Sequence, residues 1–499
     1  MPHNPNVRVL IVVLDALRPE FVTPDLMPNL HGFATQGVRY TNSHSTFFTE
    51  TRVNQSSVVT GCMPHRHGIT ANKFFSPEAS PHHVLNTGDD IQLEAAFQRM
   101  NGELLDIPTL GQRLTSNGKR FATLSAGTPG GGRLINHSAE IDGSFRLAMH
   151  RPEAACPSDS IALIINKIGP IPDHVLPATK WISWAVDAYL EHIEPEISPD
   201  VMLLWLSEPD ESFHKHGIGS DSSLTAIKHI DAEFGRILAR HHDAITTGTM
   251  QVIAMSDHGQ ITLDGEPLDI VQHMRTAGFR ASHQPADDVD YVVVPGNAAA
   301  IWTQNRTESQ GPELTEKLVG WLGKQSWCGP LFTNTGLPGT VPLEEVRLSH
   351  RRAPDIALVF RHDDLPNAHG RKGRTLHDAP YPTGGGCHGG LSRYELHNVL
   401  TLGGQAFKAG TTIDIPAGNV DITPTVLALL GLEVPDGDFD GRVLNEAFCN
   451  GPTAADLSWT DHIITSNNTG SQINARSTHL SVTDFGHTRY INRGWVSDI

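Results

Sequence analysis

Three continuous apolar runs, each leading to an aspartate, constrain this chain more than any other feature. Residues 7–14 run into Asp15, residues 201–206 lead to Asp210, and residues 252–255 lead to Asp257. Unbroken β-branched and aliphatic runs read as strands buried on both faces of a mainly parallel sheet, and such sheets bind ligands outside the carboxyl ends of their strands. The aspartates stand at those ends. His214 follows Asp210 by four residues and His258 follows Asp257 directly. Carboxylate and imidazole together are the ligand types that zinc and similar divalent metals prefer.

Helical patterns alternate with strands through residues 1–285, near 26–36, 53–60, 107–117, 178–193 and 222–240, with strands at 7–14, 121–125, 201–206 and 251–255. This βαβ alternation predicts an α/β fold with a mainly parallel central sheet flanked by helices. Residues 286–370 break the rhythm with short strands at 291–294, 298–302 and 355–360 and a helix near 313–324, and read as an inserted smaller α+β cap. The core resumes over 371–450, with a strand in 398–403 and a helix at 423–431. Residues 451–499 are polar and read as a C-terminal extension that packs on the core or on a second subunit.

A formal charge of -18 argues against a surface for nucleic-acid polymers, which usually carry a basic stripe, but leaves room for a small anion held at metal ions. No run approaches the ~20 apolar residues needed to span a bilayer, and the first strand begins by residue 7, so neither a membrane segment nor a signal peptide is expected. The expected location is cytoplasmic. The five scattered cysteines, Cys62, Cys156, Cys328, Cys387 and Cys449, lack CxxC spacing and suit reduced thiols. Nothing in the sequence marks an oligomeric state.

Asp210 and His214 are one helical turn apart and can reach a single ion, while Asp257 and His258 sit where a strand becomes a loop. Taken alone, each pair is more often a surface or capping pair. Their coincidence at three strand ends favours metal binding, and His388, in the glycine-rich loop 384–390, can complete a three-ligand site.

The motifs Leu14-Asp15-Ala16-Leu17, Met27-Pro28-Asn29-Leu30, Thr60-Gly61 with Pro64-x-x-His67-Gly68, Glu208-Pro209-Asp210-x-x-x-His214, Ser256-Asp257-His258-Gly259 and the His388 loop occur in that order. Together they resemble the alkaline phosphatase superfamily, most closely its nucleotide pyrophosphatase/phosphodiesterase branch, over roughly residues 7–75, 200–260 and 384–446. The resemblance implies an alkaline phosphatase-like fold and two zinc ions per chain, with other divalent metals as substitutes. It implies Asp210, His214 and His388 as ligands of one ion and Asp15, Asp257 and His258 as ligands of the other. Thr51, 36 positions after Asp15, falls where the family has its metal-bound threonine nucleophile, and Asn72 where it has an asparagine that binds a phosphoryl oxygen. The implied reaction is hydrolysis of a small phosphorylated substrate, a phosphodiester of nucleotide type, through a phosphothreonine. Without the metal ligands Thr51 reads equally well as a helix N-cap.

The nearest competing reading is a phosphomonoesterase or a phosphonate hydrolase of the phosphonoacetate hydrolase kind. No lysine accompanies the loop around Thr51, which disfavours a doubly charged monoester. A catalytically inactive phosphate-binding protein is the reading from another class. Cys62-Met63-Pro64-His65-Arg66 matches the pattern that sulfatases convert to formylglycine, but it follows Thr60-Gly61 instead of preceding it, and Gln55 and Ala16 replace residues a sulfatase needs. The 384–389 spacing fits a dinucleotide fingerprint, yet a proline-containing segment precedes it, so a flexible ligand loop is expected. The loop 127–133 reads as a rim with Arg133 as a candidate anion contact. His65, His67 and His216 read as hydrogen-bonding or capping residues, and Trp181 and Trp184 as core.

Overall fold

The computed structural model describes residues 7–304, 310–468 and 476–498. Strand Arg8–Leu14 lies inside an eight-stranded sheet, parallel to Val201–Leu206 on one side and to Met250–Met255 on the other. Phe121–Ser125 and Phe145–Ala148 continue the parallel pairing beyond Val201–Leu206. On the opposite flank Leu400–Gly403 pairs antiparallel with Met250–Met255, followed by Val38–Tyr40 and Thr411–Ile413. The sheet is therefore mainly parallel, and the fold is the alkaline phosphatase-like α/β arrangement.

Residues of opposite parity on the first strand enter different cores. Leu10, Val12 and Leu14 pack with Trp181, Ile227, Ile230 and Phe234 from helices Thr179–Ala188 and Asp221–Arg240. Val9, Ile11 and Val13 pack with Val58, Val59, Ile422 and Val426 from helices Thr51–Thr60 and Ile422–Leu429. Each such side chain contributes ~1.5–3 kcal/mol when fully buried, which is why a strand apolar at every position stays between two helical layers. The pairing register also levels the strand ends, with Leu14 opposite Leu206 and Val13 opposite Met255. Asp15, Asp210 and Asp257 consequently emerge along one edge of the sheet.

Several boundaries differ from the expectations. The long helix expected over 178–193 is α-helical only for Thr179–Ala188 and widens into a π-type stretch, Tyr189–Ile197, that contains Pro195. Proline lacks the N–H that a regular turn needs. The region expected as a cap over 286–370 contributes five strands of a six-stranded sheet that begins earlier, at Ala281–Ser282, and continues in the order Tyr291–Val294, Ala298–Thr303, Ile356–Phe360, Cys328–Thr333 and Val341–Pro342. Strand Cys328–Thr333 is buried throughout and has no counterpart in the sequence reading, because Gly329 and Pro330 interrupt its pattern.

A four-stranded sheet of His362–Pro366, Lys372–Thr375, Ile261–Leu263 and Gly386–Cys387 joins this region to the core edge. The C-terminal segment forms an antiparallel sheet of Thr460–Asn468, Arg476–Phe485 and Thr488–Asp498. It packs on its own chain: Arg476 Nη1 donates to Cys328 O at 3.0 Å, Gly494 N to Leu391 O at 2.9 Å, and Tyr490 Oη to Asp421 Oδ2 at 2.8 Å. Residues 305–309 of the expected insertion and 469–475 of the extension lie outside the described residues. No described helix is long and apolar enough to cross a membrane, and all five cysteines are free.

Candidate active site

The level strand ends bring together two three-residue ligand sets. In one, a ligand atom from each of Asp15, Asp257 and His258 lies within 4.8 Å of the other two, and in the second the same holds for Asp210, His214 and His388. His258 Nε2 is 3.2 Å from Asp257 Oδ2 and 3.8 Å from Asp15 Oδ1. His214 Nε2 is 3.3 Å from Asp210 Oδ2, and His388 Nε2 is 3.5 Å from Asp210 Oδ1. The His258 and His388 rings stack with centroids 4.0 Å apart, so the two sets adjoin.

Backbone carbonyls orient all three imidazoles. Nδ1 of His214 bonds Gly386 O at 2.7 Å, Nδ1 of His388 bonds Thr49 O at 2.8 Å, and Nδ1 of His258 bonds Gly259 O at 3.0 Å. A carbonyl can only accept, so Nδ1 carries the proton and the Nε2 lone pair is turned to the site, which is the tautomer a metal ligand requires. The carboxylates fit a cation equally well. Asp15 Oδ1 and Asp257 Oδ2 are buried without a hydrogen-bond partner. Their other oxygens are held, Asp15 Oδ2 by Trp205 Nε1 at 2.8 Å and Asp257 Oδ1 by Ala16 N at 3.1 Å. Orphaned buried carboxylate oxygens are costly unless a cation pairs with them.

Burial pushes the Asp15 carboxyl well above the usual carboxylate range, and the neighbouring charges of Asp257 and Asp210 push it further. Burial also raises Asp257 against the opposing pull of His258. For Asp210, burial acts in the same direction but is outweighed by His214 and His388, which hold it well below the usual range. Burial and the neighbouring His258 push His388 far below the usual imidazole range.

Thr51 is the first residue of helix Thr51–Thr60, and Glu50 occupies the N-cap position without a side-chain capping bond. The reading of Thr51 as an N-cap is therefore set aside: its Oγ1 faces His258 Nε2 at 3.2 Å. Asn72 accepts the Arg52 N–H at 3.0 Å through Oδ1, which leaves its NH2 end as the donor. The Arg52 N–H is thereby used and is not free for an anion. Asp15, Thr51, Asn72, Asp210, His214 and His388 all line one cleft of about 370 Å³.

The His388 loop is pinned, contrary to the flexible loop expected. Gly386–Cys387 pairs with Ile261 and Thr262, and a Cβ on Gly386 would lie 2.1 Å from Gln260 Oε1. Glycine is what lets the loop come close enough for Gly386 O to reach His214. Arg133 is not an anion contact at the site: it pairs with Glu94 and, at 3.7 Å, with Glu140. Cys62 is buried and donates to Asp438 O, and burial pushes its thiol up to about 12, far from the reactive range. His67 bonds Ser57 Oγ at 3.1 Å, and Trp181 and Trp184 are buried in the core, as the sequence suggested.

Sequence reasoning missed four participants. Gln260 donates through Nε2 to Asp210, and Asn419 Nδ2 donates to Asp257 O and to Asn54 Oδ1, tying two motifs together. Tyr381 stacks on His214 with centroids 4.0 Å apart, and Lys215 joins Arg52 in lining the cleft. Gln260, two residues beyond His258, and Lys215, next to His214, had adjacency as a signal. Tyr381 and Asn419 had none.

The family model described as type I phosphodiesterase / nucleotide pyrophosphatase matches residues 9–365. An ectonucleotide pyrophosphatase/phosphodiesterase of Caenorhabditis elegans is 21% identical over 85% of this chain and 43% of its own length. A bis(5'-adenosyl)-triphosphatase of Xenopus laevis is 25% identical over 52% of this chain and 48% of its own. The chain thus spans less than half the length of these two relatives. The structure of murine ectonucleotide pyrophosphatase/phosphodiesterase 5 superposes with a TM-score of 0.58 at 17% identity, covering 86% of this chain and 96% of that one. An inactive variant of the same murine protein has been solved in complex with AMP.

Proposed function

The chain belongs to the type I phosphodiesterase / nucleotide pyrophosphatase family, and from that premise we propose that it hydrolyses phosphodiester bonds of small nucleotide-type substrates through a phosphothreonine at Thr51. Asp15, Asp257 and His258 would hold one divalent cation, zinc by preference, and Asp210, His214 and His388 a second, with Thr51 Oγ1 able to serve as a further ligand. The observation that carries this reading is the position of Thr51: its hydroxyl lies on a helix N-terminus, 3.2 Å from His258 Nε2, in the cleft that Asp15, Asp210, His214 and His388 also line.

When bound, the cations supply the charge that lowers the hydroxyl pKa and offsets the charge on the phosphoryl oxygens. The chain's own groups do the rest. Thr51 Oγ1 gives up its proton to solvent and attacks phosphorus; the Thr51 O–P bond forms as the bond to the leaving oxygen breaks, and that oxygen is protonated by water. A second water then attacks phosphorus in the Thr51 intermediate, which still carries the second substituent; the Thr51 O–P bond breaks, a phosphomonoester leaves, and Thr51 Oγ1 regains a proton from water. The Asn72 NH2 donates to a non-bridging oxygen, and the face of Tyr381 offers an apolar wall for the second substituent. The AMP complex of the murine relative and the substrate named for the Xenopus laevis relative favour nucleotide substrates.

A monoesterase or phosphonate hydrolase is the second reading, favoured by one observation: Arg52 and Lys215 both line the cleft and would serve an extra negative charge. Leaving-group-matched diester, monoester, phosphonate and sulfate substrates, assayed with zinc present, separate the two. We expect the diester first and the sulfate last, and a monoester preference of about tenfold or more moves the assignment to the second reading. Thr51→Ala should lower turnover by about 10³-fold or more, and acid quenching of the wild type during diester turnover should trap a Thr51 peptide bearing the phosphoryl group with its second substituent. Diester hydrolysis by Thr51→Ala at the wild-type rate defeats the nucleophile assignment. The cytoplasmic location stands as a proposal supported by the five free cysteines. The relatives are named as ectoenzymes, and fractionation of expressing cells decides.

A further inference from the structure

Glu211, the neighbour of Asp210 on helix Asp210–His216, belongs to a different cluster. A ligand atom from each of His150, His174 and Glu211 lies within 4.8 Å of the other two, the same closeness that marks the two sets in the cleft. The three come from separate parts of the chain: His150 follows strand Phe145–Ala148, His174 lies ahead of helix Thr179–Ala188, and Glu211 is in the first turn of its helix.

An ion pair between His174 and Glu211 is the simpler account, and two observations go beyond it. Glu211 Oε2 is buried and has no hydrogen-bond partner, although His174 Nε2 is 2.7 Å away. The same signature, a buried carboxylate oxygen without a hydrogen bond beside an imidazole nitrogen, marks Asp15 and Asp257. The second observation is that both rings are seated. Trp181 packs against His150 at 4.6 Å and against His174 at 4.9 Å between centroids, and the two imidazoles are 4.8 Å apart. Trp181 is itself fixed by a 2.8 Å hydrogen bond from Nε1 to Ala126 O. A salt bridge of two residues has no use for His150 in this arrangement; a three-ligand site does.

We propose that His150, His174 and Glu211 hold a third divalent cation of the zinc type. Two imidazoles and a carboxylate make a ligand set that zinc accepts, with water completing the shell from the solvent side, where both histidines are exposed. Glu211 also lines the cleft, beside Leu176 and Asp210, so the cation sits in its outer wall. The site does not depend on the assignment of the other two sets.

Equilibrium dialysis of the full chain against buffered free zinc, with bound zinc counted by mass spectrometry, tests it. We expect the wild type to take up one equivalent more than the His150→Ala/His174→Ala variant. The single variants His150→Gln and His174→Gln, which keep side-chain bulk, should each weaken that equivalent by about tenfold or more. A His258→Ala/His388→Ala variant should lose zinc from the cleft and keep the outer equivalent. Equal uptake by the wild type and by the two single glutamine variants overturns the proposal. An outer equivalent present without any cleft zinc would sustain it while defeating the two-cation reading above.

Discussion

The two ligand sets of the cleft carry their charge differently. Asp15, Asp257 and His258 are buried, with only Asp15 reaching the cleft, and place two carboxylates against one imidazole, each carboxylate with an orphaned oxygen. Asp210, His214 and His388 place one carboxylate between two imidazoles on the cleft wall, and Gln260 also donates to Asp210. The inner set is thus incomplete without a cation. The Asp210, His214 and His388 set is largely satisfied by its own members, and all three residues line the cleft. The physical lesson is that strand ends deliver acidic residues into a buried edge, whereas a helix and a distant loop are needed to bring in the imidazoles that offset them.

The largest effect expected from this contrast is on activity. His258→Ala removes an inner ligand that also faces Thr51, and should lower kcat/KM by about 10³-fold or more with no recovery in added zinc. His388→Ala should cost about 10²-fold at limiting zinc and recover in part when zinc is raised, because its site opens to the cleft. Equal recovery of both variants would erase the distinction between the sets.

Removing the metal should next expose the inner set through pH. Asp15 and Asp257 have folded-state pKa values raised above the unfolded ones, mainly by burial. In metal-stripped protein their protonated forms contribute stability that is fully present below the ordinary carboxylate range and lost as pH rises through the raised folded values. A bound cation pairs with both carboxylates and removes that loss. The gap in melting temperature between loaded and stripped protein should therefore widen from pH 5 to pH 8, and a constant gap would contradict the picture.

A smaller effect separates the two sets in stripped protein at pH 8. Asp257→Asn removes a buried charge with an orphaned oxygen and should stabilise by roughly 1–3 kcal/mol, whereas Asp210→Asn disturbs the hydrogen bond from Gln260 and the close contacts with His214 and His388 and should destabilise by a similar amount. Denaturant unfolding reads both, and the same sign for both variants would show that the sets do not differ in compensation. Cys62→Ala, which touches neither set, should leave turnover and zinc content unchanged. An inactive but folded Cys62→Ala protein would revive the sulfatase reading.

Much of the site was legible because its chemistry sits at the ends of the most strongly patterned segments. Runs apolar at every position can only be strands covered on both faces, so Asp15, Asp210 and Asp257 had to lie near one sheet edge once the strands were parallel. His214 and His258 were legible through short spacing, and Thr51, Asn72 and the pairing of His388 with Asp210 through family resemblance. The strand Cys328–Thr333 and the C-terminal sheet were not, since glycine, proline and polar residues blur periodicity where packing against other elements supplies the order.

By itself, then, the amino-acid sequence determined the parallel core, the carboxylates at its edge and the residue types able to bind metal, because these follow from local hydrophobic pattern and short-range spacing. Only the tertiary structure decided that register levels the three strand ends, that Gly386 brings a carbonyl to His214, that Tyr381 and Lys215 line the cleft while Gln260 donates to Asp210, and that His150 and His174 meet on Trp181 beside Glu211. Those contacts join residues far apart in the chain. No local periodicity encodes them, since they exist only after the layers have closed on one another.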